Sequence, residues 1–600
     1  MSNLLRLTRK SKQLGLHNSE RVRKVTDRGQ ANYDLANSYH SQRHLKVKFK
    51  PEPVPDNYED EIGKALDDAK EISVLDPTRK YLPRHKLPEI LNPERVRTIL
   101  SLPDFERCLD KDKLMEDILG RRQLLKLLAV LIGINKTREL LKYVEDGVDD
   151  RCLPMSLDAS QKPFCQLHQT HHKTLHAYLR DEFRDHFSSW SYSLSAPYMS
   201  YAPNLHSHYV LNPWDVFPMK GKKMHKKSIT MKNGNPMEPL PPDVNLDGGF
   251  SEVYRVVIEA SHHNFGQLGI RHPDGIFALK KLNTNSEEEF NMELASLLFS
   301  MDKASGKPAS KHLIQLLATF EVSDPNSEDK CPTYYLLFDW AEGNLPQFWE
   351  RMEEVYVRNR SHCKWMSLQF HEICLALQSV HNERERTLKF INESDSLDLY
   401  GRHGDIKPDN FLWFRPEQSS DLLALSDFGL GRLHTQVSRS NQNPQSLART
   451  ATYIAPEFDL ENGMISRASD IYSLGCVFLE YVTWFLLGYD SVIKDFPDQR
   501  MDKDIFAGWK SDKFFMIEVD ENGAQTPIMK PQVRDWISKL QKHDDCSWYL
   551  HQLLEIIGDK MLEPERAKRI DIASLADEMN KLRRACEGDE SFYLDAKLKR

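Results

Sequence analysis

The chain has 600 residues, 40% hydrophobic and 28% charged, with a formal net charge of −8. These values describe a globular protein of several domains, and the acidic balance argues against a nucleic-acid binder. The nine cysteines include no Cys-x-x-Cys pair, which argues against a disulfide framework or a zinc site and for a reducing intracellular compartment, cytoplasmic or nuclear.

Residues 1–85 read as a mostly disordered basic and polar region. Arg6, Arg9, Lys10 and Lys12 begin a basic excess over Glu20, Asp27 and Asp34. The first reading is a solvated tail; an arm for an acidic partner or a nuclear signal is the alternative. Arg6 and Arg9 interrupt any secretory core. No stretch is expected to span a bilayer. The apolar cluster Leu124–Ile134 contains Lys126 and is shorter than the roughly 20 residues a span needs.

Residues 86–202 read as a helical region of unknown function and a candidate for docking a protein partner. Leu114, Ile118, Leu125 and Leu128 fall near helical spacing. Leu140, Leu141 and Val144 mark a second helix stopped by Gly147. "HHKTLHAYLRDEFRDHF" is a third. His172 and His176 sit one turn apart there, but no Glu or Cys completes a ligand set, so both read as surface histidines. Residues 203–242, rich in His, Pro, Lys and Met, read as a linker.

From 243 the texture changes. "FSEVYRVVIEA", "GIFALKKL", "HLIQLLATFEV" and "TYYLLFDW" read as strands. One helix interrupts them, opened by the capping pair Ser286 and Glu289 and faced by Phe290, Leu294, Leu297 and Leu298. Beyond Gln347 the chain reads as mainly helical up to 583, with a charged tail over 584–600. "NERERTLKFINESDSLDLYGR" reads as a surface loop.

The chemistry-bearing residues lie in this part. Gly248 and Gly249 permit a tight strand-to-strand turn that lets backbone N–H groups approach phosphate oxygens. Taken alone, they also suit an ordinary hairpin. "FALK" follows, with small Ala278 and the fixed cation Lys280. Glu293 lies near the apolar face of the next helix, where an unpaired carboxylate is costly. Pairing with Lys280 removes that cost. Farther on come "YGRHGDIKPDNFLWF", "SDFG", "TATYIAPE", "SDIYSLGC" and "MLEPERAKRI".

In this order and spacing, the segment from about 243 to 580 resembles a eukaryotic Ser/Thr protein kinase. "RHGDIKPDNFLWF" and "HQLLEIIGDKMLEPERAKR" are similar to protein-kinase-domain proteins of filamentous fungi, in which a helical region precedes the kinase. The resemblance implies an α+β bilobal fold, with a small β-rich lobe before a large helical one. It implies ATP and Mg²⁺ as cofactors and a protein hydroxyl as acceptor. Leu246, Gly248, Gly249, Phe250 and Ser251 take the glycine-rich-loop positions. Val253, Ala278 and the gatekeeper Phe338 would surround adenine, with backbone groups from Asp339 to Ala341 on its edge. Lys280, oriented by Glu293, would meet α- and β-phosphate oxygens. Asp405 would be the base, and Lys407 would reach the transferring phosphoryl group. Asn410 and Asp427 would hold Mg²⁺, a hard cation suited to oxygen ligands. Thr450 would position substrate. His403, Phe428, Gly429, Glu457, Asp470 and Arg569 would be structural, with Asp470 bracing the catalytic loop and Arg569 pairing with Glu457.

Departures from the pattern are Leu246 and Ser251 in the glycine loop, Gly404 where Arg is usual, and Arg449 where Gly usually precedes the Thr. Gly404 makes the chain a non-Arg-Asp type. His-Gly-Asp is also the triplet of small-molecule phosphotransferases. Lys407, the full Asp427-Phe428-Gly429 and the Ala455-Pro456-Glu457 ending argue against that class. A pseudokinase scaffold that binds ATP and partners is the other alternative.

Overall fold

The computed structural model describes residues 22–25, 57–106, 108–121, 123–157, 163–165, 167–172, 181–201, 206–223, 251–268, 275–299, 310–323, 331–382, 402–416, 420–427, 451–460, 463–504 and 510–596. Its sheet-rich lobe is built on alternation. Along Thr333–Asp339, Tyr334, Leu336 and Phe338 join one apolar core, while Tyr335 and Leu337 join another on the opposite face. That is the period-2 pattern of a strand buried on both sides. The seven-stranded sheet runs Val22–Val25, His206–Leu211, Leu316–Val322, Thr333–Asp339, Ile276–Leu282, Ser251–Ile258, Met219–Lys223.

Two of these strands come from the stretch 203–242, expected to be a linker. Strand His206–Leu211 runs parallel to Leu316–Val322, and Met219–Lys223 pairs antiparallel with Ser251–Ile258. His206–Leu211 is hard to see because one of its buried faces is polar, while Tyr209 and Leu211 on the other enter the apolar core; Met219–Lys223 buries only Met219. His206 and His208 are buried, and their ring nitrogens lie 3.0 and 2.9 Å from Thr319 Oγ1. Burial, then the charge of His208, holds the His206 imidazole down at about 3, so it packs as a neutral residue.

Helix Glu287–Phe299 lies against the sheet through Phe290, Leu294 and Leu297, with Phe290 stacked on Tyr334 at 4.2 Å. Ser286 Oγ accepts from the Glu289 N–H at 3.4 Å, as the capping pair predicts. The helical lobe is organised by Arg467–Leu487, His362–Asn382 and Ile572–Gly588 around one continuous core. Arg467–Leu487 is long and apolar enough to cross a membrane, against the expectation that no stretch is, but 89% of its apolar window is buried inside the structure. It holds buried Asp470 and Glu480 and serves as the central helix of this lobe.

The N-terminal region carries its own core, formed by helices Tyr58–Asp68, Pro93–Ile99, Leu125–Gly133 and Leu140–Glu145. Leu114, Ile118 and Leu128 are buried as expected, and Gly147 stops its helix with φ +77°. Residues 57–85, read as disordered, are folded: Ile62 and Leu66 join this core, and Tyr81 is fully buried. The described part of the third helix is Asp181–Leu194; residues 173–180 of the expected helix lie outside the described residues. This region docks on the sheet lobe. Val74 N–H donates to Met219 O at 2.8 Å, Arg84 N–H to His262 Nε2 at 3.2 Å, and Tyr81 meets the His262 ring edge-on. His172, expected on the surface, is buried; His176 lies outside the described residues.

Candidate active site

Paired-strand register gathers the side chains of the sheet lobe. Directly opposed residues share a face, as do residues two apart on one strand. Val253 is opposite Lys280, and Phe338 is opposite Ala278. Val253, Ala278, Lys280 and Phe338 therefore lie on one face, and Val253 leaves apolar surface open there. Asp339 ends its strand, and Ala341 packs on the helical lobe's core. The next N–H, of Glu342, donates to Trp413 O at 2.8 Å, so this short connection joins the lobes.

Lys280 Nζ lies 2.9 Å from Glu293 Oε1 and 3.0 Å from Asp427 Oδ1. Burial alone would discharge it, but the charges of Asp427 and Glu293 and their hydrogen bonds outweigh burial and hold its pKa above the usual lysine value. Lys280 in turn holds the Asp427 carboxyl below its ordinary range. The two groups keep each other ionised.

A hairpin places the second half of the site. Strands Phe411–Phe414 and Leu422–Leu425 pair from Phe411 opposite Leu425. That register sets Asn410 beside Ser426, whose N–H donates to Asn410 O at 2.9 Å, and brings Asp427 next to them. Asp427 takes φ +56°, rare for a residue with a side chain. The Asn410 amide nitrogen donates to Asp405 O at 2.7 Å and to Asp405 Oδ2 at 3.0 Å. Lys407 Nζ contacts the same Oδ2 at 2.7 Å.

The loop backbone is held from below. Asp470 accepts from the His403 N–H at 2.8 Å, from the Gly404 N–H at 2.9 Å and from His381 Nε2 at 2.9 Å. Burial opposes ionisation of Asp470, yet the hydrogen bond and charge of His381 and these N–H donors hold its carboxyl below the usual range. Burial pushes the His403 imidazole down, and its Nδ1 accepts the Asp405 N–H at 3.4 Å. His381 was not singled out in the sequence. Its signal is its place at the end of the helix His362–Asn382, and only the fold puts that end against Asp470.

Arg569 grips Glu457 with both forks, Nη1 to Oε1 at 2.9 Å and Nη2 to Oε2 at 3.0 Å, and also donates to Ala468 O and Glu563 O. Its side chain is fully buried. Arg569→Met leaves the Glu457 charge buried without its partner and is expected to lower unfolding free energy by roughly 3–5 kcal/mol. Urea denaturation checks this, and a loss under about 1 kcal/mol contradicts the bracing role.

The family model described as "Protein kinase domain" matches residues 266–576, just over half of the chain. The chain belongs to the protein kinase family. The kinase is 27% identical over 261 residues to "Probable serine/threonine-protein kinase mps1" of Dictyostelium discoideum, an alignment covering 42% of this chain and 22% of that protein. It is 23% identical over 302 residues to "Dual specificity protein kinase CLK2" of Homo sapiens, covering 44% and 54%. "Mitogen-activated protein kinase 5" of Arabidopsis thaliana is 26% identical over 162 residues, covering 27% and 35%. The kinase thus spans between 22% and 54% of the length of these relatives. Of the expected site residues, Leu246, Gly248, Gly249, Phe250, Phe428, Gly429 and Thr450 lie outside the described residues, as does the stretch 383–401 of the charged excursion. Ser251 opens its strand opposite Leu282.

Proposed function

We propose that the chain is an ATP-dependent protein serine/threonine kinase acting inside the cell on a protein substrate. The observation that carries this reading is the chain of contacts from Glu293 through Lys280 to Asp427, beside Asn410, Asp405 and Lys407. These residues fit Mg²⁺ and a triphosphate. With the Asn410 amide nitrogen engaged by Asp405, its amide oxygen remains for a cation, and the part-exposed Asp427 carboxylate, held at one oxygen by Lys280, supplies a second oxygen donor. Hard oxygen donors are what Mg²⁺ takes. Bound Mg-ATP supplies the phosphoryl group and part of the charge neutralisation. Lys280 binds phosphate oxygens and Glu293 orients it. Asp405 accepts the proton of the attacking hydroxyl, while Asn410 and Lys407 fix its carboxylate. Lys407 also offers positive charge to the group in transfer. An unbiased peptide array incubated with γ-labelled ATP tests the reading. Label on Ser and Thr peptides is expected; no label on any Ser or Thr peptide, with label on soluble small-molecule acceptors assayed beside the array, contradicts it.

Gly404 adds a regulatory expectation. In Arg-Asp kinases the Arg offers a cation that pairs with a phosphate on the activation segment. Here the position has φ +82°, a conformation glycine adopts without penalty, and it has no charge to offer. Arg402 lies with its guanidinium 6.0 Å over the Phe458 ring. Kinase made in bacteria and treated with phosphatase is expected to keep most of its activity. A large drop, restored by phosphorylation of Thr435, Ser438, Ser440, Ser446, Thr450 or Thr452 and lost in the matching Ala variant, would assign the role to another cation such as Arg402 or Arg432.

A further inference from the structure

The N-terminal helical domain contains a cluster that phosphoryl transfer does not use. Cys152, Cys165, His168 and His172 each direct one donor atom to a common point, and all four atoms lie within 4.8 Å of one another. His168 Nδ1 is 3.6 Å from Cys152 Sγ, 3.5 Å from Cys165 Sγ and 3.4 Å from His172 Nε2. These are three of the six edges, and each matches the edge of one particular tetrahedron. With Zn–S near 2.3 Å and Zn–N near 2.0–2.1 Å, tetrahedral angles give S···N edges of about 3.5–3.6 Å and N···N edges of about 3.3–3.4 Å. We propose that these four side chains form a structural Zn²⁺ site that fastens residues 163–165 and 167–172 to the short helical turn Asp150–Cys152 and the N-terminal helical core.

The chemistry selects the metal. Two thiolates and two imidazoles in a tetrahedron are the donor set of zinc rather than of Mg²⁺ or Ca²⁺, which take oxygen. Four protein ligands close the coordination shell, so the site is structural and leaves no position for water or substrate. Cys152, Cys165 and His172 are buried, and His168 closes the cluster from the exposed side.

The ligands are also supported from outside, as metal ligands usually are. His172 Nδ1 lies 3.1 Å from Asp146 O, which leaves Nε2 for the metal. The Asp149 N–H points at Cys152 Sγ at 3.5 Å. Cys165 and Thr170 exchange backbone hydrogen bonds of 2.9 and 3.3 Å, closing a turn that carries His168. A disulfide between Cys152 and Cys165 would need no imidazole within 3.6 Å of both sulfurs; a shared cation does. The sequence conceals the site because the cysteines stand far apart, with no Cys-x-x-Cys. The visible fragment is Cys165-x-x-His168-x-x-x-His172, with Cys152 brought in by the short helical turn Asp150–Cys152.

The test uses the full chain, purified under reducing conditions without chelator, and elemental analysis. One zinc per chain is expected, falling to under about a tenth in Cys165→Ser and in His168→Ala. His168 is exposed, so its variant is expected to fold, and circular dichroism verifies that it does. Replacing the metal with Co²⁺ is expected to give tetrahedral d–d bands and a thiolate charge-transfer band, which the oxygen donors of the phosphoryl-transfer site cannot produce. Absence of metal and of the thiolate band in the wild-type chain overturns the proposal. So does an unchanged zinc content in folded His168→Ala, or a Cys152–Cys165 disulfide found by mass spectrometry in a separate sample lysed into alkylating agent without reductant.

Discussion

Asp405→Asn slows phosphoryl transfer by roughly 10²–10⁴-fold, the worth of a positioned base, and leaves ATP binding near the wild-type value. Amide replaces carboxylate at nearly constant volume, so Asn410 keeps its contact with the Asp405 backbone oxygen and the loop keeps its shape. Asp427→Asn behaves differently. It removes a carboxylate 3.0 Å from Lys280 and next to Asn410, so the loss falls on Mg²⁺-dependent nucleotide affinity as well as on turnover. Binding calorimetry with and without Mg²⁺, run beside the transfer assay, separates the two. If both variants bind and turn over like the wild type, neither residue has the role assigned to it.

Lys280→Met lowers turnover by roughly 10²–10³-fold, the usual cost of losing one fixed positive donor aimed at developing charge. The fold is expected to survive. Glu293 and Asp427 lose their common partner: Asp427, 44% exposed, can be solvated, whereas Glu293, 17% exposed, is left largely buried, so a lower unfolding temperature without loss of the fold is expected. Thermal unfolding and steady-state kinetics on the same sample check the two halves of this expectation. An unchanged turnover contradicts the assignment of Lys280. A collapsed fold would mean that the ion pair is primarily structural.

The site was legible in the sequence because its residues sit in short segments whose local structure fixes their placement. Lys280 and Ala278 are two apart on one strand, and Asn410 and Asp427 flank the two strands of one hairpin. Contacts between distant segments were legible only where a motif named both partners, as with Glu457 and Arg569. His381 meets Asp470 through the packing of two long helices, which no local spacing encodes. Strand His206–Leu211 was missed because, beside Tyr209 and Leu211, its buried residues are two histidines and a serine, satisfied by Thr319 and by Ser200 O. Residues 57–85 were missed because Ile62, Leu66 and Tyr81 are thinly spread among charged neighbours, and their burial depends on helices later in the chain. The metal-ligand cluster was missed for a related reason. His172 was paired with His176, one turn later, whereas its partners lie before it, at His168 and Cys165.

The central claim is that this constellation transfers a phosphoryl group rather than merely binding a nucleotide. The most direct measurement follows γ-labelled phosphate from Mg-ATP to Ser/Thr acceptors, with nucleotide binding recorded on the same wild-type and Asp405→Asn samples. The account predicts equal binding and transfer by the wild type alone. Tight Mg-ATP binding by both proteins with no transfer by either would contradict it and leave a nucleotide-binding scaffold.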